Sequence, residues 1–308
     1  MSNNRSIDFI GDIHGHAYEL VSLLNKLGYS KKNGTYTHPE RIAFFVGDYI
    51  DRGPYIPETL NIVRRMTDSG SAKAIMGNHE YNAICFNERS ESGMFLREHS
   101  IKNILQHSET LKQFRHSQKV YDEYIEWFKT LPLYYESDNF RAVHASWDSD
   151  HIELLGSLTE DRRLTGELLR KSAEKNTDIY NAVDVTLKGK ELRLPGDIHF
   201  LDKDDNKRRE MRIKWWEDAT RHTWQSLAVG FSEGLPETPV ETEGLSASSY
   251  YREEEKPVFF GHYWLSGNPS LYRSNICCLD YSVAKQGKLV AYRFDGEEQL
   301  SDEKLVFV

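Results

Sequence analysis

Cysteine is almost absent from this chain. Among 308 residues only Cys85, Cys277 and Cys278 occur, an odd number with two adjacent and none at the spacing of a zinc ligand set. That excludes a disulfide framework and a structural zinc site, and it fits a reducing compartment. Also missing is any apolar run near the roughly 20 residues that a membrane helix requires. The N-terminal Met-Ser-Asn-Asn-Arg enters a strand-like segment without a secretory signal pattern. The expectation is a cytoplasmic, unprocessed protein with no membrane partner. Cations are the minority charge: Lys+Arg 39 against Asp+Glu 48 leaves a formal −9. A polyanion would be repelled unless a local site overrode that field, so nucleic acid is not an expected partner. No internal repeat or extended low-complexity tract interrupts the chain.

What is present describes a folded globule: 39% hydrophobic, 12% aromatic and 28% charged residues. The length fits one large domain, residues 1–308, with insertions. Short apolar runs at Ile7–Ile10, Ile42–Val46 and Ala72–Met76 alternate with stretches of helical periodicity, a β-α-β-α-β pattern that predicts a parallel core. The first helix shows a stripe of Ala17, Leu20, Val21, Leu24 and Leu27 with Gly28 at the capping position, and a second runs from Pro57 to Met66. Residues 86–138 read as a helical insertion, after which Phe140–Val143 returns to strand. Residues 148–255 read as a variable insertion or lid, including the loop-like Ser232–Ser249. Pro257–Phe260, Asn275–Asp280 and Lys288–Phe294 read as closing antiparallel strands.

The chemistry sits just after the apolar runs. Gly11-Asp12-Ile13-His14-Gly15, Gly47-Asp48-Tyr49-Ile50-Asp51-Arg52-Gly53 and Gly77-Asn78-His79-Glu80 each follow a predicted strand, as do His144 and Gly261-His262. Strand ends are where open α/β sheets converge their side chains, so five of them could meet at one crevice. Carboxylates and imidazoles suit a dinuclear centre of manganese, iron or zinc. Asp12 and His14 share one side of an extended segment and can reach one ion. Asp48 is the natural bridge, and Asn78, His144 and His262 complete the ligand set of the second ion. Alone, an Asp-x-His in a loop is usually a solvated turn; three such clusters in order, each after a strand, are not. The second Gly-Asp-Ile-His, at 196–199, follows Pro195 rather than an apolar strand and reads as a loop coincidence.

These motifs, with Val143-His144-Ala145, Gly261-His262 and the closing Leu279-Asp280-Tyr281, resemble the signature of calcineurin-like metallophosphoesterases, within them the phosphoprotein phosphatases and the symmetrical diadenosine tetraphosphate hydrolases. The match covers roughly residues 7–85, 138–147 and 257–294. The resemblance implies an α/β fold with a central β-sandwich flanked by helices in four layers. It implies a first metal on Asp12, His14 and Asp48, and a second on Asp48, Asn78, His144 and His262. His79 would be the general acid, oriented by Asp51, with Arg52 clamping the phosphate oxygens and Asn78 also touching substrate. Ser146 departs from the family, which more often has glycine there, and a further phosphate-binding arginine has no evident counterpart.

The residues themselves support the same mechanism. Two dications, manganese first with iron, zinc or nickel as alternatives, would lower the pKa of a bound water toward roughly 7, and that hydroxide would attack phosphorus in line. His79 is the one unligated imidazole placed by a core motif to protonate the leaving oxygen. The expected enzyme is a phosphomonoesterase acting on phosphoprotein or a small phosphorylated molecule. The alternatives are a dinucleoside polyphosphate hydrolase and, in another class, a catalytically silent phosphate-binding scaffold. The basic run within Lys207–Trp216 reads as a solvated helix with its tryptophans packed inward, the alternative being a wall for an anionic substrate.

Overall fold

The computed structural model describes residues 6–201, 207–230, 233–241 and 250–308. The first segment holds β1 (Ser6–Ile10), α1 (Ala17–Lys26), β2 (Ser30–Lys32), β3 (Thr35–Thr37), β4 (Arg41–Phe45), α2 (Ile56–Asp68) and β5 (Ala72–Ala74). Then come α3 (Asn78–Asn87), α4 (Ile101–Phe114), α5 (Gln118–Phe128), β6 (Tyr134–Glu136) and β7 (Arg141–Val143). The variable region contains α6 (Ser149–Leu158), α7 (Gly166–Ser172), α8 (Asp178–Lys188), β8 (Glu191–Arg193), β9 (Phe200–Leu201), β10 (Lys207–Arg208), β11 (Glu210–Arg212) and α9 (Trp224–Leu227). The chain closes with β12 (Val258–Phe260), β13 (Ile276–Cys278), β14 (Asp280–Tyr281), β15 (Lys288–Phe294) and β16 (Leu305–Phe307).

Two sheets face each other. One runs β14-β15-β1-β4-β5, with β16 also on β15; the other runs β13-β12-β7-β6. In the first, β1, β4 and β5 are parallel and β15 is antiparallel to β1; in the second, β13, β12 and β7 are parallel and β6 is antiparallel. Strand alternation divides the apolar residues between two cores. Phe9 and Phe44 point at the opposite sheet, where Phe9 stacks on Phe259 with centroids 3.7 Å apart and Phe140 and Phe294 close around it. Ile10, Ala43 and Phe45 point the other way, into a core completed by Leu20, Leu23 and Leu24 of α1 and Leu60, Val63 and Met66 of α2. Each fully buried Leu, Ile, Val, Phe or Met among them contributes about 1.5–3 kcal/mol. This is the four-layer sandwich expected, with helices outside both sheets.

Several expectations need correction. Val21 is only half-buried, and Leu23 takes its place on the α1 stripe. Gly28 does cap the helix, at φ 93°, with the Tyr29 N–H reaching back to Leu24 O at 2.9 Å. A hairpin with β2 exposed and β3 half-buried lies between α1 and β4 where helical periodicity was expected. The closing strands are not all antiparallel: β12 pairs parallel with β13. The direction follows from residues 261–275, which loop back before β13 begins and so let it run alongside β12. Lys207–Lys214 is not a helix; it forms β10 and β11, whose partners are β9 and β8. Ser232 and residues 242–249 of the expected loop lie outside the described residues.

Candidate metal centre and active site

Each chemical cluster follows a parallel strand: Asp12 and His14 after β1, Asp48 after β4, Asn78 and His79 after β5, His144 after β7 and His262 after β12. Sharing a direction brings the five carboxyl ends, three from one sheet and two from the other, to the same edge. Backbone bonds tie the loops together: Ile13 and His14 N–H donate to Asp48 O at 3.0 and 2.9 Å, and Gly261 N–H donates to His144 O at 2.8 Å. Left-handed backbone concentrates here. His14, Asp48, Asp51, Arg52, His262 and Trp264 all have φ between 46° and 74°, a cost residues other than glycine bear where surrounding structure holds a functional geometry. Gly77 and Gly261 permit the close approach, because a Cβ at either would collide with a carboxylate oxygen, of Asp48 and Asp12 respectively.

Asp48 lies between two imidazole sets. Its Oδ2 is 3.6 Å from His14 Nε2 and 3.9 Å from His79 Nε2, while its Oδ1 is 3.3 Å from His144 Nε2. It therefore joins two potential metal clusters, His14–Asp48–His79 and Asp48–His144–His262. Asn78 Oδ1 meets His144 Nε2 at 3.1 Å and His262 Nδ1 at 2.8 Å. Asp12 accepts the His262 N–H on Oδ2 at 2.9 Å.

The donor set fits divalent cations. Asp12 Oδ1 and His14 Nε2 are buried with no hydrogen-bond partner among the described residues, an expensive state for polar atoms unless a ligand uses them; His262 turns its Nδ1, not its Nε2, toward Asn78 Oδ1. His14 and His144 donate Nδ1–H to the carbonyls of Ile50 and Val46, both at 2.8 Å, which turns each Nε2 lone pair inward. Burial, then the His79 charge, pushes His14 down to about 4, and burial with Arg212 pushes His262 down well below its ordinary value. Both rings are thus neutral at pH 7, as metal ligands must be. Burial and the Asp280 and Asp48 charges raise Asp12, whereas His144, His79 and His14 hold Asp48 low against its own burial. Glu80 is structural: it accepts N–H bonds from Asp48, Tyr49 and Gly77 at 2.8–3.0 Å and so fixes the β4 loop to the start of α3.

His79 has a separate support. Its Nδ1 meets Asp51 Oδ2 at 2.5 Å, leaving Nε2 toward the cavity. Sequence reasoning left His107 as an ordinary surface or core residue, yet its Nδ1 lies 2.8 Å from Asp51 Oδ1 and its Nε2 2.7 Å from the Tyr121 hydroxyl. Thr110 Oγ1 also donates to Asp51, at 2.5 Å. A signal was available: His107, Thr110 and Phe114 form the buried side of α4, and two of the three are polar. Arg52 is exposed, with its guanidinium 5.4 Å from the Trp264 ring centroid, and it lines the cavity above His79. Arg97 lines the same cavity, bonded to Asn82 and Gln106 at 2.9 and 2.8 Å. Ser146 is fully buried beside His144, and its backbone N–H bonds to Thr186 O at 3.4 Å. The second Gly-Asp-Ile-His is an exposed turn, its Asp197 paired with Arg209 at 3.1 Å.

A sequence model of the calcineurin-like phosphoesterases matches residues 5–263. The chain belongs to that family, and it is a phosphoric ester hydrolase of the metallophosphoesterase class. It is 30% identical over 186 residues to the asymmetrical bis(5'-nucleosyl)-tetraphosphatase PrpE of Halalkalibacterium halodurans, covering 59% of this chain and 74% of that protein. To the PrpE of Oceanobacillus iheyensis it is 30% identical over 183 residues, covering 55% and 72%. A protein serine/threonine phosphatase from Saccharomyces cerevisiae shares the fold, with a TM-score of 0.50 and 13% identity over 100% of this chain and 80% of that one. Among the described residues no helix is long and apolar enough to cross a membrane.

Proposed function

We propose that the chain hydrolyses phosphoric esters with two divalent cations, manganese first, held by Asp12, His14, Asp48, Asn78, His144 and His262. When bound, such ions supply an activated water and neutralise phosphoryl oxygens. The chain's own residues do the rest. Asp48 serves both sites, Arg52 meets phosphoryl oxygens through its planar fork of donors, and His79 gives a proton from Nε2 to the departing oxygen. The observation that carries this reading is the His79–Asp51 pair at 2.5 Å, aimed into the cavity, with the partnerless donor atoms Asp12 Oδ1 and His14 Nε2 at the same strand ends. Asp51 fixes the tautomer and keeps the ring protonated.

The test is elemental analysis beside turnover of an aryl phosphate. Manganese-loaded protein should carry two ions per chain, and Asp48→Asn should lose occupancy at both sites. A wild type that binds none at any stoichiometry removes the reading. A silent phosphate-binding scaffold would hold metal and phosphate but give no turnover.

One observation favours a larger substrate than a simple monoester. The cavity over the site encloses about 970 Å³, at the upper end of small-molecule pockets and ample for a nucleotide. The tetraphosphatase relatives point the same way. A panel of aryl phosphate, phosphopeptides, nucleotides and dinucleoside tetraphosphate at fixed manganese separates the readings by kcat/KM.

A further inference from the structure

The clamp assigned to Arg52 needs a guanidinium held in place before the phosphate arrives, because a preformed donor fork costs no reorganisation at the moment of reaction. Its own loop does not supply this. Arg52 is exposed, its backbone is left-handed at φ 65°, and among the described residues none gives its guanidinium a hydrogen bond or an ion pair. What it has is the Trp264 ring, whose centroid lies 5.4 Å away. That is within the roughly 6 Å over which the face of an indole attracts a cation.

The ring is itself held in place. Trp264 has a left-handed backbone, φ 54°, which is an outlier for so large a residue and persists only where neighbours fix it. Its N–H donates to Asp280 Oδ2 at 2.6 Å, the Ser282 N–H donates to Asp280 Oδ1 at 3.0 Å, and the Leu265 N–H donates to the Asp280 carbonyl at 3.0 Å. The buried Asp280 thereby ties the loop after β12 to β14. The indole also meets the His14 ring, with centroids 5.6 Å apart, and His14 is bonded through Nδ1 to Ile50 O at 2.8 Å. Ile50 stands just before Asp51-Arg52, so the contacts close a circuit: Ile50 to His14, His14 to Trp264, and Trp264 back to Arg52. The ring therefore fixes the guanidinium relative to a ligand of the first ion. Lys285 has its ammonium 5.0 Å from the same centroid and lines the same cavity. Two like charges sharing one ring would separate into water without it.

We propose that Trp264 positions Arg52: the indole face holds the guanidinium beside the first ion site, so that the phosphoryl oxygens meet a donor fork already in place. Trp264 itself touches no reacting atom. The proposal rests on the hydrolase reading above and adds to it the residue that makes the Arg52 clamp preformed. The rival use of an indole at a cavity wall is to stack on an aromatic part of the substrate. That use would be independent of Arg52, and the two are separable by experiment.

A double-mutant cycle between the two residues tests this, read as turnover of an alkyl and an aryl phosphate at saturating manganese. Trp264→Leu should lower kcat/KM on both esters by about three- to thirty-fold, the range that a cation on an aromatic face spans, with manganese content unchanged. Trp264→Phe, which keeps a ring face, should recover most of the loss. In an Arg52→Gln background Trp264→Leu should cost less than about two-fold more, because the group it positions is gone. Should Trp264→Leu fail to fold, as judged by circular dichroism, Trp264→Asn, which tolerates a left-handed backbone, carries the same cycle. Losses that multiply across the cycle overturn the proposal, as does an unchanged kcat/KM in the Trp264 variant. So does a loss confined to the aryl ester, which would make the ring a stacking surface, or a loss of manganese, which would make it a support of His14. Absence of turnover in wild type removes the hydrolase reading, and an Arg52→Gln variant as active as wild type removes the clamp within it. Multiplying losses in a working enzyme remove only the role of Trp264, so the failures are distinct.

Discussion

In the metal-free protein, burial works against charge on the His79 imidazole, yet the Asp48 carboxylate and the Asp51 hydrogen bond outweigh it and raise the ring to about 9. Asp51 can do this because His107 and Thr110 keep its carboxylate ionised. His79 is then a proton donor rather than a ligand, although its ring lies within the first metal cluster. His79→Asn should retain metal content while kcat on an alkyl phosphate falls by about 10²–10⁴. An aryl phosphate with a p-nitrophenolate leaving group, which needs little protonation, should lose distinctly less. His107→Ala acts one bond further out, by loosening Asp51, and should lower kcat on the alkyl ester by about ten-fold with KM held. Equal losses on both esters, read from steady-state kinetics, would show that His107 only supports the fold and that His79 is not mainly the acid.

At the scale of elements, the cap of α6 joins the catalytic sandwich to the region after α8. Asp148 accepts the His151 N–H at 3.0 Å and the Lys190 ammonium at 2.5 Å, and Lys190 with the His151 bond holds its pKa below the ordinary value despite burial. A depressed carboxylate contributes stability that is present above its unfolded value, near 3.9, and is lost as pH falls through the folded one. Asn caps a helix as well as Asp, so Asp148→Asn removes only the charge on the Lys190 bond. It should cost about 1 kcal/mol at pH 7 and flatten the fall of the urea midpoint between pH 5 and 3; a wild-type slope in the variant would show that the pair contributes nothing. The strands that carry the site were legible, because three of them couple an apolar run to Gly-Asp or Gly-Asn at the end and the other two end on His144 and Gly261-His262. The hairpin β2–β3 was not: its strands have three residues each, and Ser30–Lys32 is wholly exposed, so no alternation betrays it. β10 and β11 failed for the same reason, two and three residues being too few to distinguish a period of 2 from 3.6. The support of Asp51 by His107 spans 56 residues, which no local pattern encodes.

Across the whole molecule the centre poses an electrostatic problem that cations would resolve. Asp12, Asp48, Glu80 and Asp280 are all buried around it, and their mutual repulsion adds to the burial that raises Asp12, Asp280 and Glu80, the last to about 7. Without metal the fold carries this repulsion and two partnerless donor atoms, Asp12 Oδ1 and His14 Nε2. With metal, both are relieved in the native state alone, so binding must stabilise the fold, by about 2.7 kcal/mol for an ion at 100 times its Kd. A chelator should accordingly lower Tm by several degrees, since about 1 kcal/mol moves Tm by 2–4 °C in domains of 150–250 residues. The gap should narrow as pH falls. Asp12, with its raised pKa, takes up a proton before an ordinary carboxylate would; this eases the metal-free protein and at the same time competes with metal for the same oxygen. Differential scanning calorimetry with and without chelator at pH 7.5 and 5 checks both statements. A Tm that ignores the chelator at pH 7.5 in a protein shown to hold manganese would mean that the carboxylates are already neutralised from within, and the roles given to Asp12 and Asp48 would have to be withdrawn.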